Sequence, residues 1–165
     1  MNPTGKTTPL VPSILDRLIE PRGDEPSTEL GIRGQSVGEL QEAVRRDLQD
    51  LFNTRQSVSS EFSEEDELSR SLLTYGLPEL STLNPSVPDH RQQLQAIIER
   101  TIRKFEPRLD SVRVVSVAAD RATGRGLRIC VEALLRVSPS PVPVTFDTLI
   151  EKGSGRWQVV ESGGA

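Results

Sequence analysis

The segment Phe105-Glu106-Pro107-Arg108 places two opposite charges on either side of a proline. Proline lacks a backbone N–H and disfavours helical backbone at the residue before it, so a preceding helix must end here. A glutamate and an arginine held beside a rigid ring could form an ion pair, a catalytic pair or an element that docks on a partner. The residues alone leave these roles open, because flanking charges at a helix end are often exposed and weakly paired.

Other residues able to do chemistry lack suitably placed partners. The chain has no phosphate-binding loop, dinucleotide-binding fingerprint or nucleophile elbow. His90 and Cys130 are its single histidine and cysteine, so a transition-metal site would need mostly carboxylate ligands. We expect His90 to be a solvated residue at a helix start, and Cys130 to be a buried small apolar residue. No metal site and no cofactor are predicted.

Acidic residues raise the question of a glycosidase pair, which needs two carboxyl groups a few ångströms apart across a cleft. The run from Glu61 to Glu67 lies in the acidic segment 57–67, which has the pattern of a solvated surface loop. Glu106 and Asp110 are close in sequence, but strand geometry after Pro107 could point them apart. A peptidoglycan hydrolase is therefore the alternative function, with little support from the pattern.

Composition narrows the class of protein further. The 165 residues are enough for one domain with a hydrophobic core. A net charge of −4 gives no electrostatic support to a nucleic-acid or anionic-membrane partner. The basic residues are nearly all arginine, which suits bidentate interface contacts, although a GC-rich genome explains the same bias. A lone cysteine and the lack of any apolar run long enough for a signal peptide or membrane span predict a cytoplasmic protein.

Helical spacing of apolar residues predicts the elements that position the motif. Residues 1–12 are expected to be a disordered arm, followed by a short helix over 13–20 whose apolar stripe must dock on something. A capping box at Ser36 and Glu39 begins a helix over 37–52. The clearest helix spans 89–105 and carries an i,i+4 pair, Glu99 and Arg103.

The segment between these two helices is predicted to be irregular. The leucines at positions 68, 72 and 73 suggest a short helix or turn. Tyr75-Gly76-Leu77-Pro78 closes it, with Gly76 as a left-handed cap and Pro78 preventing continuation.

After Arg108 the apolar period changes from that of a helix to that of a strand. The predicted strands cover 112–117, apolar on both faces, 127–135, half-buried, 144–150, and a short fourth strand over 156–160. The expected fold is α+β, with N-terminal helices packed on one face of a C-terminal antiparallel sheet of three to four strands. The short last strand leaves an edge that must be protected or used. Residues 13–161 are expected to form a single domain, and 162–165 a disordered tail.

Four segments also follow a known pattern in the same order. Residues 12–18 resemble Ser-Leu-Leu-Asp-Arg-Leu, with isoleucine at position 14 for leucine. Leu51-Phe52-Asn53-Thr54-Arg55 resembles Leu-Leu-Asn-Thr-Arg. Residues 75–79 are similar to Tyr-Gly-Leu-Pro-Asp, and residues 105–109 contain Glu-Pro-Arg. Together the four segments resemble the TssE family, baseplate subunits of type VI secretion systems within the wider phage baseplate-wedge (lysozyme-like) family.

The resemblance implies a structural subunit without enzymatic activity. Such a subunit lies in the baseplate wedge beside TssF and TssG, with TssK nearby, at the cytoplasmic face of the inner membrane. It binds no nucleic acid and does not insert into the membrane. Its sheet resembles that of the sheath subunits TssB and TssC and so implies a template for sheath polymerisation by strand exchange.

The same resemblance assigns partner binding to Glu106, Pro107 and Arg108, which would dock on a helical core of neighbouring wedge subunits. We expect Glu106→Ala or Arg108→Ala to leave the monomer folded and to block sheath assembly. A free-standing adaptor unrelated to secretion is a further alternative, which the neighbouring genes would distinguish.

Overall fold

The computed structural model describes residues 36–57, 67–84, 87–119, 127–150 and 156–161. Within these ranges two α-helices precede four strands, which confirms the predicted α+β class. The elements are α1 Val37–Asn53, two 3-10 helices at Glu67–Arg70 and Leu72–Thr74, α2 Pro88–Phe105, β1 Leu109–Ala119, β2 Leu127–Leu135, β3 Val142–Ile150 and β4 Trp157–Glu161. The predictions for 1–12, 13–20 and 162–165 lie outside the described residues, as does most of the acidic segment 57–67.

Helix α1 begins and packs as its sequence predicts. Ser36 Oγ accepts a hydrogen bond from the Glu39 N–H at 3.2 Å, and Glu39 Oε2 accepts one from the Ser36 N–H at 2.6 Å. This reciprocal capping box satisfies two backbone donors at the helix start. The apolar stripe is buried at Leu40, Ala43, Val44, Leu48, Leu51 and Phe52.

Helix α2 begins one residue earlier than predicted, at Pro88, with Val87 as its N-cap. Proline fits the first helical position because no intrahelical partner is lost there. Leu94, Ile98 and Ile102 are buried, and the helix ends at Phe105 before Glu106, as the proline at 107 requires.

The sheet is an antiparallel meander in the order β1-β2-β3-β4. On β2, Ile129, Val131, Ala133 and Leu135 are buried, whereas Arg128, Glu132 and Leu134 are exposed, which confirms a half-buried strand. Val131 lies opposite Phe146 on β3. Helix α2 packs against β1 and α1 against β4, so the two helices cover the buried face of the sheet.

One expectation from the sequence is corrected. Cys130 is not a core residue: it lies partly exposed, and burial followed by the charges of Asp147 and Glu132 raises the pKa of its thiol. On β1, Val112 and Val114 are buried while Val115 is 42% exposed, so apolar side chains of this strand lie both in the core and at the surface. His90 lies near the start of α2 and is partly exposed, and its Nδ1 accepts a hydrogen bond from the Asn84 N–H at 3.0 Å.

Candidate functional site

Glu106 is a buried carboxylate at the end of α2. The residue is 4% exposed to solvent. Its backbone N–H donates to the Ile102 carbonyl at 2.8 Å and completes the last turn of the helix. The Leu109 N–H donates to the Glu106 carbonyl at 3.2 Å, so the chain turns tightly over Pro107 into β1. The proline therefore holds the carboxylate at the point where helix gives way to sheet.

The guanidinium of Arg108 closes on this carboxylate in a bidentate fork. Nε donates to Glu106 Oε1 at 2.6 Å, and Nη2 donates to Glu106 Oε2. The Arg108 N–H also donates to Oε1, at 3.1 Å. Nη2 donates in addition to Asp47 Oδ2 on α1 at 2.5 Å. Of the roles left open by the sequence, the structure shows an intramolecular ion pair that joins the α2–β1 junction to α1.

The charges of this site keep Arg108 protonated. Burial by itself would lower the pKa of the guanidinium, but hydrogen bonds and charge from Glu106 and Asp47 outweigh burial and raise it. The pKa of Tyr75 is also raised, first by burial and then by the charges of Asp50, Asp47 and Glu106. The phenol is therefore held neutral next to a group of carboxylates.

A close backbone approach places Tyr75 at this site. The Leu77 N–H donates to the Thr54 carbonyl at 2.9 Å, and the Gln56 N–H donates to the Leu77 carbonyl at 3.0 Å. Gly76 has a φ of +103°, and a Cβ there would lie 2.2 Å from the Thr54 oxygen. The segment after α1 and the segment after the 3-10 helices can pair in this way only with glycine at 76.

Aromatic and basic contacts connect the same segment to α2. The Tyr75 and Phe105 rings meet edge to face, with centroids 5.2 Å apart. Lys104 Nζ donates to Thr74 Oγ1 at 2.9 Å and lies 4.8 Å from the centroid of the Phe105 ring. We call the group Asp47, Tyr75, Phe105, Glu106, Pro107 and Arg108 the junction site. Segments 51–55, 75–79 and 105–109, three of the four that carried the family resemblance, thus converge on one corner of the fold.

The junction site adjoins an exposed surface with apolar and basic character. Pro107 is exposed, and the Arg108 side chain is 26% exposed. Leu72 and Leu73, in the 3-10 helix that Lys104 binds through Thr74, are 87% and 50% exposed. Two neighbouring leucines open to solvent beside a charged group are more typical of a protein-binding surface than of a catalytic cleft.

A groove of about 660 Å³ lies between the end of α1, the segment after Leu77 and the ends of β3 and β4. Among the described residues that line it, Glu79 is the one carboxylate, and it pairs with Arg55 at 3.0 Å. The described ranges also contain no group of three or more His, Cys, Asp or Glu side chains that could hold a metal ion. The described residues of the groove therefore offer no pair of acids for glycoside hydrolysis.

A family model described as baseplate wedge protein gp25 matches residues 38–140, more than half of the chain. The chain belongs to this family. A search of curated proteins and a search of solved structures found no match. The match to the baseplate wedge family includes α1 from its second residue, α2, β1, β2 and the whole junction site. Baseplate wedge proteins are structural, and none of the helices in the described part of this one could cross a membrane.

The three predicted partner-binding residues lie together in the structure, but they are not all on the surface. Glu106 faces inward, whereas Pro107 and part of Arg108 remain accessible. Asp47 was missed because 61 residues separate it from Arg108, and nothing in the sequence of α1 distinguishes it from other polar positions. The sequence singled out Tyr75 only as part of the segment 75–79, and it did not predict the contact of its ring with Phe105.

Proposed function

We propose that the chain is the wedge subunit of a type VI secretion baseplate, located at the cytoplasmic face of the inner membrane. It would bind TssF and TssG, with TssK nearby, and present its sheet to the sheath subunits TssB and TssC. Membership of the baseplate wedge family supports the structural role, and the four TssE-like segments support the type VI assignment. The observation that carries the docking role is that three of those segments meet at the corner of the fold that contains the junction site.

In this proposal Glu106 positions Arg108, and Arg108 contacts the partner. Both carboxylate oxygens of Glu106 are bound by Arg108, so Glu106 is not available to a neighbouring subunit. Nη1 of Arg108 makes no hydrogen bond within the described residues and lies on a side chain that is 26% exposed. A partner carboxylate could accept from this edge of the guanidinium, while Pro107 and the leucines at 72 and 73 supply apolar contact area.

The test compares two arginines in cells that assemble the secretion sheath. Arg108→Lys keeps a cation beside Glu106 but removes the planar fork, so the chain should fold while docking fails. Arg136→Ala is the matched control, because Arg136 forms an exposed pair with Asp110 on β1. We expect sheath assembly to be lost with Arg108→Lys and normal with Arg136→Ala. Normal sheaths in the folded Arg108→Lys strain would overturn the docking role.

No observation favours the hydrolase alternative. Glu106 is bound by Arg108, and Asp110 accepts from Arg136 at 2.5 and 2.6 Å, so each of these acids already holds an arginine. Of the acidic run from Glu61, Glu67 alone lies in the described residues. We expect the purified chain to release no soluble fragments from peptidoglycan under conditions in which a known lysozyme does.

A further inference from the structure

The groove beyond the end of α1 is lined largely by apolar side chains. Its volume is about 660 Å³, and its apolar lining includes Phe52, Leu77, Leu80, Leu83, Leu94 and Trp157. The rings of Phe52 and Trp157 are in contact, with centroids 5.2 Å apart, and both residues are buried. A concave apolar surface of this kind suits a ligand that inserts aliphatic side chains.

The charged residues of the groove favour an acidic ligand. Arg55, Glu79 and Arg156 are among the described lining residues. The Arg55 and Glu79 side chains are 76% and 50% exposed and pair at 3.0 Å, and Arg156 is exposed. Two arginines and one glutamate leave an excess of positive charge, so an apolar ligand with more acidic than basic groups fits best.

Residues 13–20, which lie outside the described residues, have this chemistry in their sequence. Their aliphatic members, at a spacing that places them on one side of a helix, are Ile14, Leu15, Leu18 and Ile19. The same spacing places Asp16 and Glu20 along one flank of this apolar stripe and Arg17 along the other. The segment thus offers two acids and one base to a groove that holds two arginines and one glutamate.

The connection to α1 is long enough to bring the segment to the groove. Residues 21–35 join it to Ser36, the N-cap of α1, whereas the groove lies at the opposite end of that helix. A helix of this length spans about 25 Å. The connecting residues reach up to about 50 Å when extended. Because the tether keeps the segment close, a helix too short to be stable alone can still be held by the groove.

We propose that residues 13–20 bind in cis in the groove at the end of α1, as an amphipathic helix whose apolar stripe faces Leu77, Leu83 and Trp157. The groove is also lined by residues of segments 51–55 and 75–79. Binding there brings the fourth segment of the family resemblance, 12–18, beside two of the other three. The proposal does not depend on the type VI assignment, and it makes this groove part of the subunit's own fold and not a surface for a partner.

Trp157, the single tryptophan of the chain, reports on the groove through the NMR signal of its indole N–H. Leu18→Asp in the full chain places a charge in the apolar stripe, so the indole signal and the amide signals of Leu77 and Leu83 should shift. Leu10→Asp, a matched change in the arm 1–12, should leave these signals in place. An indole signal that is the same in Leu18→Asp and in the unmodified chain would rule out binding of the segment in the groove.

A spin label gives a second measurement that leaves the apolar stripe intact. Cys130→Ser removes the native thiol, and Glu20→Cys then carries a nitroxide on the polar flank of the segment. The label should broaden the amide signals of Ser81 and Leu83, and adding Leu18→Asp should abolish the broadening. Groove signals that stay sharp in the labelled chain, with its stripe intact, would refute the proposal.

Two further outcomes would give the groove a different occupant. Broadening of the groove signals of one copy by a spin label on a second copy would show that the segment binds in trans. A shift of the Trp157 signal only when purified TssF and TssG are added would assign the groove to a partner. Either result would overturn binding in cis and leave the proposed function intact.

Discussion

Glu106 depends on one neighbour for its place in the interior. The carboxylate is nearly inaccessible, and the guanidinium of Arg108 binds both of its oxygens. A desolvated ion that loses its partner is costly, whereas an exposed ion pair contributes little to stability. The sequence located this pair at a helix end, but it did not show that one member is buried.

Arg108→Ala should therefore destabilise the monomer, which revises the expectation from sequence that it leaves the fold intact. It leaves the buried carboxylate of Glu106 without its guanidinium partner, and we expect the free energy of unfolding to fall by about 3–5 kcal/mol. Urea denaturation of the purified chain measures this loss. Asp110→Ala, which removes the partner of Arg136 at an exposed pair, is the control and should leave the urea midpoint almost unchanged. A similar midpoint for both variants would show that burial of Glu106 does not matter.

Tyr75 gives the stability of the fold a dependence on alkaline pH. Burial and the nearby carboxylates raise the pKa of the folded phenol above its ordinary value of 10.0. Because the unfolded phenol ionises at a lower pH than the folded one, the contribution of Tyr75 to stability is complete below pH 10. It is lost as the pH rises toward the pKa of the folded phenol. The free energy of unfolding should fall faster above pH 10 for the wild type than for Tyr75→Phe. If the free energy of unfolding falls equally with pH for the two proteins, the ionisation of Tyr75 does not cause the alkaline loss of stability.

At the scale of elements, the helices and strands are mostly as the apolar spacing predicts. The capping box at Ser36, the stripe of α1 and the alternation of β2 all arise within short windows of sequence, where backbone geometry sets the period. The exception is β1, whose register shifts at Asp110/Arg113 and Val114/Ser116. Its valines indicated a strand, but not the irregular pairing that leaves Val115 exposed.

Two glycines, one within α1 and one packed against its end, should respond in opposite directions to alanine. At Gly76 a Cβ would lie 2.2 Å from the Thr54 carbonyl oxygen and the backbone is at positive φ, so Gly76→Ala should cost more than about 2 kcal/mol. At Gly38, inside α1, a Cβ meets nothing within 4 Å, so Gly38→Ala should stabilise by about 0.5–1 kcal/mol. Thermal melts of both variants measure the difference. Equal melting temperatures would refute the close approach at Thr54.

At the scale of the whole molecule, the two helices both fill the core and cover the sheet edges. Their apolar stripes face the sheet, while polar residues on their flanks bind edge backbone groups of β4 and β1. An exposed strand edge is a template for pairing with another chain, so this cover limits where partners can add.

Removal of the Asn53 side chain from the outer edge of β4 should weaken the monomer and promote self-association. Asn53→Ala leaves the N–H and carbonyl of Trp157 without their side-chain partner, and we expect a loss of about 2 kcal/mol. Sedimentation velocity should show concentration-dependent oligomers of this variant. Gln92→Ala, at an exposed position on α2, is the control and should remain monomeric. A monomeric Asn53→Ala protein would mean that α1 protects the edge by its bulk and not by these hydrogen bonds.

The sequence by itself determined the class of fold, the helix stop at Pro107 and the inner faces of the elements, because these follow from backbone geometry and periodicity over short windows. The tertiary structure alone decided that Asp47 binds Arg108, that Gly76 lies against Thr54 and that Asn53 covers Trp157. The partners in the first and last of these contacts lie 61 and 104 residues apart. Such contacts form when the helices pack on the sheet, and no local pattern in the sequence predicts them.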